Sequence, residues 1–598
     1  MKTRKEMDPA YEWDLTSLYD DDSAWEKEFP VIEEETKKAA AFEGTLKDAK
    51  TIRAFLDVET QLMRDLNNVY TYAFLRQSED TADPQGQMLV AKAAMLYTKC
   101  ASALAFADPE ILSLPEDGLK EITASEELAP YRFVMQQLID QKPHVLSGKE
   151  EQLLASFSEV FGAPKNAADA LMDADLKFAP ALDSKGESHE VTGSNFILLQ
   201  QSSDRTLRKN AFFSFYGGYV GHINTFAATY AGAVKAATTE AAVRHYASSR
   251  EASMAGEHIP VSVYDNLVSM VRKHMPAMYR YVALRKKILK VDELHYYDVY
   301  VPLTKKADSS WTYEEAQDLV LKALAPLGKD YTDTVRNAFH EGWIDVYPNQ
   351  GKAGGAYSSG TYDSKPYICM NYTGDYESVS TIAHEMGHSM QTWYSKHTQP
   401  AQYADYTLFV AEVASTVNEN LLVEYLLSKA EKPEEKLFLL NQYLEGFKAT
   451  VYRQTMFAEF EQKAHALAES GGALTVAALN EIYGNLIRDY FGPDLVIDDE
   501  VKSEWARIPH FYRPFYVYKY ATDYSAAVDI SERILKDGDR AVKPYIEFLS
   551  MGGSDYALEE LKHAGVDLSS PEPIDAALNK FEKILDEAEK VVAEMEKQ

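Results

Sequence analysis

Helical periodicity runs through most of the chain and limits the fold more than any other feature. Between Lys47 and about Leu75, apolar residues recur every three or four positions with polar residues between them, the spacing that gives an α-helix one apolar face. The same spacing runs through Gln85–Ala107, Lys149–Glu159, Thr206–Ala247, Val261–Val291 and Thr312–Leu327. The sequence therefore predicts a mainly α protein. Its 598 residues exceed what one hydrophobic core sustains, so we expect more than one domain.

Two segments break the helical spacing. Leu176–Thr192 alternates polar and apolar residues about an Asp-Ser-Lys-Gly turn, which is typical of a β-hairpin. Trp343–Tyr372 holds short aromatic and β-branched runs separated by Gly, Asn or Asp, and these predict a small sheet. We place a boundary near residue 200, between an N-terminal helical domain over 1–200, with its hairpin near 174–192, and a second domain over 201–598.

Charge and cysteine content narrow the class of protein. The formal net charge of −32 comes from 61 basic and 93 acidic side chains. Because such an excess repels phosphate backbones, we expect no nucleic-acid partner. Cys100 and Cys369 are the only cysteines, too few for a secreted disulfide framework, and each is expected to be a buried small residue. The N-terminus lacks a secretory apolar run, and no stretch of eighteen or more apolar residues predicts a membrane partner. The sequence thus predicts a cytoplasmic protein.

A His-Glu-x-x-His motif lies in a helical pattern at Ser378–Trp393. Residues four apart on a helix project from one face, so His384 and His388 can both reach one zinc ion. Glu385 lies between them and can reach a water on that zinc without being a ligand. The sequence therefore predicts one zinc ion per chain, with Glu385 as catalytic base. The same helix has a predicted core stripe of Val379, Ile382, Met386, Met390 and Trp393.

Gly387 lies inside the motif, where glycine costs about 1 kcal/mol relative to alanine. A close approach of another backbone would explain the glycine, and we expect the small upstream sheet to supply that backbone. Chance alone gives the His-Glu-x-x-His motif in on the order of a few per cent of chains of this size. The motif therefore needs a second observation, and the glycine within it supports the metal interpretation.

A catalytic zinc ion takes three protein ligands and leaves a fourth position for water. No histidine stands at the extended spacing, because Gln391 and Tyr394 occupy those positions, and His397 is too close along the same helix. A later glutamate is the alternative: Glu412 and Glu419 lie seven apart on one helical face among small and apolar residues. One would bind the metal and the other would hydrogen-bond a ligand imidazole. The spacing alone leaves that choice open.

Five segments together carry a family resemblance: His384–His388, Phe409–Thr416, His510–Thr522, Gly355–Ser358 and Pro366–Gly374. In them the chain resembles the thimet oligopeptidase and oligoendopeptidase F family of zinc metallopeptidases, the oligoendopeptidase F branch most of all. The resemblance covers residues 200–585 well, and the first two hundred only in general layout.

The resemblance implies that Glu412 is the third zinc ligand. It also implies a two-lobed helical shell around a deep channel, with a small sheet beside the zinc-site helices. Enzymes of this kind cleave short unstructured oligopeptides, so the implied activity is a zinc metalloendopeptidase with oligopeptide substrates.

Transition-state roles for a histidine and tyrosines near the C-terminus follow from the same resemblance. His510 matches that histidine clearly. Tyr512, Tyr516 and Tyr518 compete for the tyrosine roles, with Tyr518 favoured and Tyr512 next.

The sequence also leaves open how a substrate binds and whether the protein is an enzyme. We expect the strand at Tyr367–Tyr372 to offer an exposed edge to which an extended peptide can add. Two classes compete with an enzyme: a non-proteolytic protein with a zinc site for stability or binding, and a helical scaffold without metal.

Overall fold

The computed structural model describes residues 1–304 and 310–597, and helices dominate them. The helices before residue 305 are α1 (Asp22–Glu26), α2 (Glu28–Ala40), α3 (Ala49–Glu79), α4 (Pro84–Leu104), α5 (Ala107–Leu112), α6 (Glu116–Ala124), α7 (Arg132–Gln141), α8 (Gly148–Ser156), α9 (Ser158–Ala170), α10 (Phe196–Gln200), α11 (Arg205–Gly221), α12 (Ile223–Val243), α13 (Ser249–Ala255), α14 (Val261–Lys273) and α15 (Met275–Leu289). The later ones are α16 (Tyr313–Ala323), α17 (Lys329–His340), α18 (Tyr376–Thr398), α19 (Ala411–Lys429), α20 (Pro433–Gly446), α21 (Arg453–Glu469), α22 (Val476–Phe491), α23 (Tyr518–Asp537), α24 (Asp539–Leu549), α25 (Ala557–His563) and α26 (Glu572–Met595). The prediction of a mainly α fold is confirmed.

The strands are short. They are β1 (Ala181–Leu182), β2 (Ser188–His189), β3 (Leu294–His295), β4 (Ile344–Asp345), β5 (Tyr357–Ser359), β6 (Tyr367–Cys369) and β7 (Leu495–Val496). Strands β1 and β2 form the predicted hairpin, closed at its turn by a hydrogen bond from the Gly186 N–H to the Asp183 carbonyl. The sequence did not predict the parallel pairing of β3 with β7, because two-residue strands leave no periodicity to detect.

Two compact units are each assembled from three stretches of chain. The first unit comprises Met1–Pro143, Ser309–Tyr425 and Ile530–Val566. The second unit comprises His144–Asp308, Leu426–Asp529 and Asp567–Gln598. The boundary near residue 200 lies inside the second unit, and the division at that residue stays a prediction.

A three-stranded sheet in the first unit lies beside the motif helix α18. Its order is β4-β6-β5, with β4 parallel and β5 antiparallel to the central strand β6. The predicted sheet within Trp343–Tyr372 is therefore confirmed, as is its place beside a zinc-motif helix. The expectation of an exposed edge at Tyr367–Tyr372 is wrong, because β6 is paired on both sides.

The N-terminal segment covers the outer edge of β4. The Val346 N–H donates to the Tyr11 carbonyl at 3.0 Å, and the Asp14 N–H donates to the Gly342 carbonyl at 2.8 Å. A buried ion pair joins the same regions, because Arg4 contacts Asp345. In the described part of this sheet β4 and β5 each have a strand on one side only, and the N-terminal segment covers the other side of β4.

The helices α3 and α4 build the other part of the first unit's core. Five apolar residues at the predicted helical spacing in α3 are buried: Ile52, Leu56, Leu62, Leu66 and Val69. The stretch Pro84–Leu112 is long and apolar enough to cross a membrane by length and composition, a criterion that a packed core helix also meets. Cys100 of α4 and Cys369 of β6 are both buried and unpaired, as expected.

The second unit shows the same helical patterning. In α26 the buried residues Ile574, Leu578, Phe581 and Leu585 follow one another at spacings of four, three and four, which places them on one face. That face lies against α20 and α14. The single helical pattern predicted over Thr206–Ala247 is divided in the structure, because α11 ends at Gly221 and α12 begins at Ile223.

Candidate metal centre

The helix α18 holds the His-Glu-x-x-His motif in the first unit. Its N-terminus is capped by Asp375, whose side chain accepts a hydrogen bond from the Ser378 N–H. Four of the five predicted stripe residues, Val379, Ile382, Met386 and Met390, are fully buried, whereas Trp393 is partly exposed. The packing of the four fixes which face carries the histidines. His384 and His388 then project from a partly exposed face, with side chains 26% and 17% exposed.

Three donor atoms form a nearly equilateral triangle. The Nε2 atoms of His384 and His388 are 3.2 Å apart, and Glu412 Oε2 lies 3.4 Å and 3.5 Å from them. Ligands at about 2.0–2.1 Å from a tetrahedral zinc ion are separated from one another by about 3.3–3.4 Å. The three side chains therefore fit a zinc ion with no rearrangement of their donor atoms.

Glu419 lies outside that triangle. Its Oε1 is 3.2 Å from the Nδ1 of His384, the ring nitrogen that does not face the triangle. A carboxylate in this position fixes the tautomer and the orientation of a ligand imidazole. The arrangement places Glu412 among the three donors and Glu419 behind one of them, the division of roles that the family resemblance implied.

Gly387 sets the distance between the two helices. A Cβ at this position would lie 2.5 Å from the Ala414 carbonyl oxygen and 2.5 Å from the Ser415 Cα of α19. The expectation of a close backbone is confirmed, but the expectation that the sheet supplies it is wrong. The nearest backbone belongs to α19, the helix that carries Glu412 and Glu419.

Two buried polar residues of α19, which the sequence reasoning missed, reinforce the crossing. The Ser415 Oγ donates to Glu412 Oε2 at 3.0 Å, and the Asn418 Nδ2 donates to the Ala383 carbonyl of α18 at 3.0 Å. Tyr331 in turn donates from its hydroxyl to the Asn418 Oδ1 at 3.1 Å. The sequence did carry one signal of this crossing: an asparagine, Asn418, among the small and apolar residues of α19. A buried amide needs hydrogen-bond partners.

The electrostatics of the site favour a cation. Burial opposes protonation of His384, but the hydrogen bond and charge of Glu419, with Glu385 and Glu412, raise the pKa of His384 to about 9. Burial disfavours the charge on Glu412, but the hydrogen bond from His388 and both imidazoles lower the pKa of Glu412 to about 2. The three carboxylates thus create a negative potential at the donor triangle, which a divalent ion would neutralise.

Glu385 is a buried carboxylate with a raised pKa and no partner among the described residues. Its side chain is 6% exposed, and burial raises its pKa above the usual value, against the charges of His384 and His388. Within residues 1–304 and 310–597 no hydrogen bond or ion pair engages its carboxylate. A general base needs this combination of a raised pKa and an available oxygen.

Sequence comparison decides the family. The sequence pattern of peptidase family M3 matches residues 198–580, and that of oligopeptidase F matches residues 110–178. The chain belongs to peptidase family M3. The resemblance to oligoendopeptidase F is thereby confirmed, and the protein is a metalloendopeptidase of this family.

Individual relatives of this M3 peptidase match over nearly the whole chain. It is 46% identical to oligopeptidase PepF of Bacillus subtilis, over 98% of this chain and 88% of the relative. It is 39% identical to group B oligopeptidase PepB of Streptococcus agalactiae, over 99% and 98%. The crystal structure of oligoendopeptidase-F from Enterococcus faecium superposes with a TM-score of 0.75 at 35% identity, covering 96% and 99% of the two chains.

The predicted C-terminal site residues of this M3 peptidase lie in the second unit. The exposed His510 ring is stacked parallel to the partly exposed Tyr516 ring, with centroids 6.4 Å apart. Tyr518 is fully buried, with its ring 5.1 Å from that of Tyr264. The Tyr512 hydroxyl lies 2.8 Å from the Thr229 Oγ1. The structure therefore brings Tyr516, rather than Tyr518 or Tyr512, beside His510.

Proposed function

We propose that the chain is a zinc-dependent endopeptidase that hydrolyses short unstructured oligopeptides in the cytoplasm. The single observation that carries the proposal is the donor triangle of His384, His388 and Glu412, with sides of 3.2, 3.4 and 3.5 Å. Glu385 lies beside it with an available carboxylate. Structural zinc is usually closed by four protein ligands, so three donors favour a catalytic role over a structural one.

A zinc ion bound by the three donors would act as a Lewis acid, which lowers the pKa of water and polarises the scissile carbonyl. Glu385 accepts a proton from the attacking water, and the new C–O bond forms at the carbonyl carbon. Glu385 then delivers that proton to the leaving nitrogen as the C–N bond breaks. Glu419 holds the His384 ring in place through its Nδ1 throughout.

We assign His510 and a neighbouring tyrosine as donors to the developing oxyanion. Among the tyrosines proposed from the sequence, Tyr516 is supported by its ring contact with His510. Tyr518 and Tyr512 are less suited, because one is buried and the other has its hydroxyl next to Thr229. Removing one such donor typically costs about 2.7–4 kcal/mol of transition-state stabilisation.

We further propose that the peptide adds as a strand along β5. This strand is antiparallel to β6 on one side, and it lies against the motif helix, because Ser358 Oγ is 2.8 Å from Ser389 Oγ of α18. Main-chain pairing of this kind recognises an extended backbone more than a particular sequence, which suits a broad range of oligopeptides. The cytoplasmic location is supported by two buried, unpaired cysteines.

Metal analysis and peptide digestion test the proposal together. Purified protein should contain one zinc ion per chain, and a mixed peptide library should be cleaved only without chelator. Glu385→Gln should keep the zinc and lose turnover, because the amide cannot accept the proton. His189→Ala is the matched control, since His189 belongs to a second group of possible ligands, with Asp183 and Glu187, on the β1–β2 hairpin. Retained turnover in Glu385→Gln, or metal-free active protein, would refute the assignment.

A further inference from the structure

The segment that follows His510 has a strained backbone. Phe515 has a φ of 54°, in the left-handed region that bulky residues adopt only when the surroundings enforce it. Its ring is 2% exposed and lies between His465 and Tyr264, with centroids 4.6 Å and 5.8 Å away. The chain therefore turns sharply between His510 and Tyr516.

Two hydrogen bonds hold this turn in place. The Phe515 N–H donates to Glu461 Oε1 of α21 at 3.0 Å, and the Ser253 Oγ of α13 donates to the Pro514 carbonyl at 2.8 Å. Both partners belong to helices of the second unit, so the turn is held to this unit by hydrogen bonds on two sides.

Glu461 is an unusual group for such a position. Its side chain is fully buried, and its second oxygen, Oε2, has no hydrogen-bond partner among residues 1–304 and 310–597. Burial raises its pKa to about 8, although the Phe515 N–H acts in the other direction. A neutral carboxylic acid thus accepts a main-chain hydrogen bond inside the core, where any simple apolar residue of the same size would pack without this cost.

We propose that Glu461 is a positioning residue for catalysis, which holds the Arg513–Tyr516 turn and thereby fixes the positions of His510 and Tyr516. The inference deepens the proposed function, since it rests on the donor roles assigned to His510 and Tyr516. Around His510 the turn assembles a cationic and aromatic group: the Arg513 guanidinium lies 4.1 Å from the Tyr516 centroid, and the Tyr520 ring lies 6.2 Å from His510. The Glu461 hydrogen bond acts on the left-handed residue itself, and it is reinforced by the Ser253 bond to Pro514 and by the packing of the Phe515 ring.

Three variants test the proposal. Glu461→Gln keeps an acceptor for the Phe515 N–H, whereas Glu461→Met keeps the size and removes the acceptor. Glu459→Gln is the matched control: Glu459 is a buried glutamate on the same helix that pairs with Arg272 at 2.6 Å instead. The measurements are kcat and KM on one peptide, zinc content, and hydrogen exchange of the Phe515 amide.

We expect Glu461→Met to lower kcat by about 10–100-fold with little change in KM, the cost of misplacing a transition-state donor. Its Phe515 amide should exchange faster, its zinc content should stay at one per chain, and Glu461→Gln should restore kcat. Glu459→Gln should lose stability and keep kcat. If Glu461→Met keeps kcat, or if Glu461→Gln and Glu459→Gln lose it equally, the positioning role is wrong. Neither result would touch the zinc assignment, which depends on Glu385→Gln.

Discussion

The variant Gly387→Ala probes the helix crossing that assembles the donor triangle. In an exposed helix this change stabilises a protein by about 1 kcal/mol. Here the added Cβ would meet the Ala414 carbonyl oxygen and the Ser415 Cα at 2.5 Å, against a normal non-bonded distance of about 3.5 Å. The helices α18 and α19 must therefore separate by about 1 Å. Overpacking of this kind costs about 1–3 kcal/mol, so the net loss of unfolding free energy is about 0–2 kcal/mol.

The effect on metal binding should be larger than the effect on stability. Glu412 moves with α19, so its distances of 3.4 Å and 3.5 Å from the two imidazole nitrogens would lengthen. Ligand distances in metal sites tolerate deviations of about 0.2 Å. We therefore expect zinc affinity to fall by on the order of 100-fold or more, the upper range for changes that misplace a ligand.

Competition with a fluorescent chelator measures that affinity, and thermal unfolding of the metal-free protein measures the packing cost. Gly217→Ala is the control, because Gly217 lies in α11 and an added Cβ would meet no other part of the described chain within 4 Å, the backbone of its own helix apart. This variant should gain slight stability and bind zinc normally. Unchanged zinc affinity in Gly387→Ala would show that the close crossing does not set the ligand geometry.

Three further predictions follow from the site and its surroundings. Glu419→Ala should weaken zinc binding about 10–100-fold, whereas Glu412→Ala should weaken it further; chelator competition decides, and the opposite order would exchange the two roles. Peptides methylated on backbone nitrogens should be cleaved more slowly than sequence-scrambled peptides of equal length, and a stronger effect of scrambling, read by mass spectrometry, contradicts strand addition. The pKa of Glu461 is raised to about 8 by burial, so its contribution to stability is present below about pH 4.5 and is lost as pH rises toward 8. Denaturant unfolding should therefore show that wild type loses stability relative to Glu461→Gln between about pH 4.5 and 8. The neighbouring His465 stays neutral in the folded protein over that window, because burial lowers its pKa to about 4. If the unfolding free energies of the two proteins change with pH in parallel, Glu461 is not a buried neutral acid.

Local patterns predicted the motif helix well, because the residues that specify it lie within a few helical turns of one another. The i, i+4 histidines and the stripe Val379, Ile382, Met386 and Met390 both follow from one helical period, and they fix each other's faces. The same is true of α3 and of the hairpin turn at Asp183–Gly186. These features depend on residues close together in the chain.

Features that depend on distant pairing were predicted less well. Gly387 signalled a close backbone, but its identity depended on whether α19 or the sheet lay across α18, which no local pattern encodes. The central position of β6 likewise required knowledge of β4 and β5 together. No local pattern distinguishes Tyr512, Tyr516 and Tyr518, and the left-handed turn at Phe515, which separates Tyr512 from the other two, was not predicted.

The covering of β4 by residues 11–14 has a consequence for synthesis on the ribosome. These residues leave the exit tunnel early, yet their hydrogen-bond partners at 342 and 346 appear more than three hundred residues later. The same unit also needs residues 530–566 before it is complete. The main-chain groups of residues 11–14 therefore stay without these partners until residue 346 is translated, and the unit is complete only after residue 566, a situation that favours slow maturation and protection by chaperones.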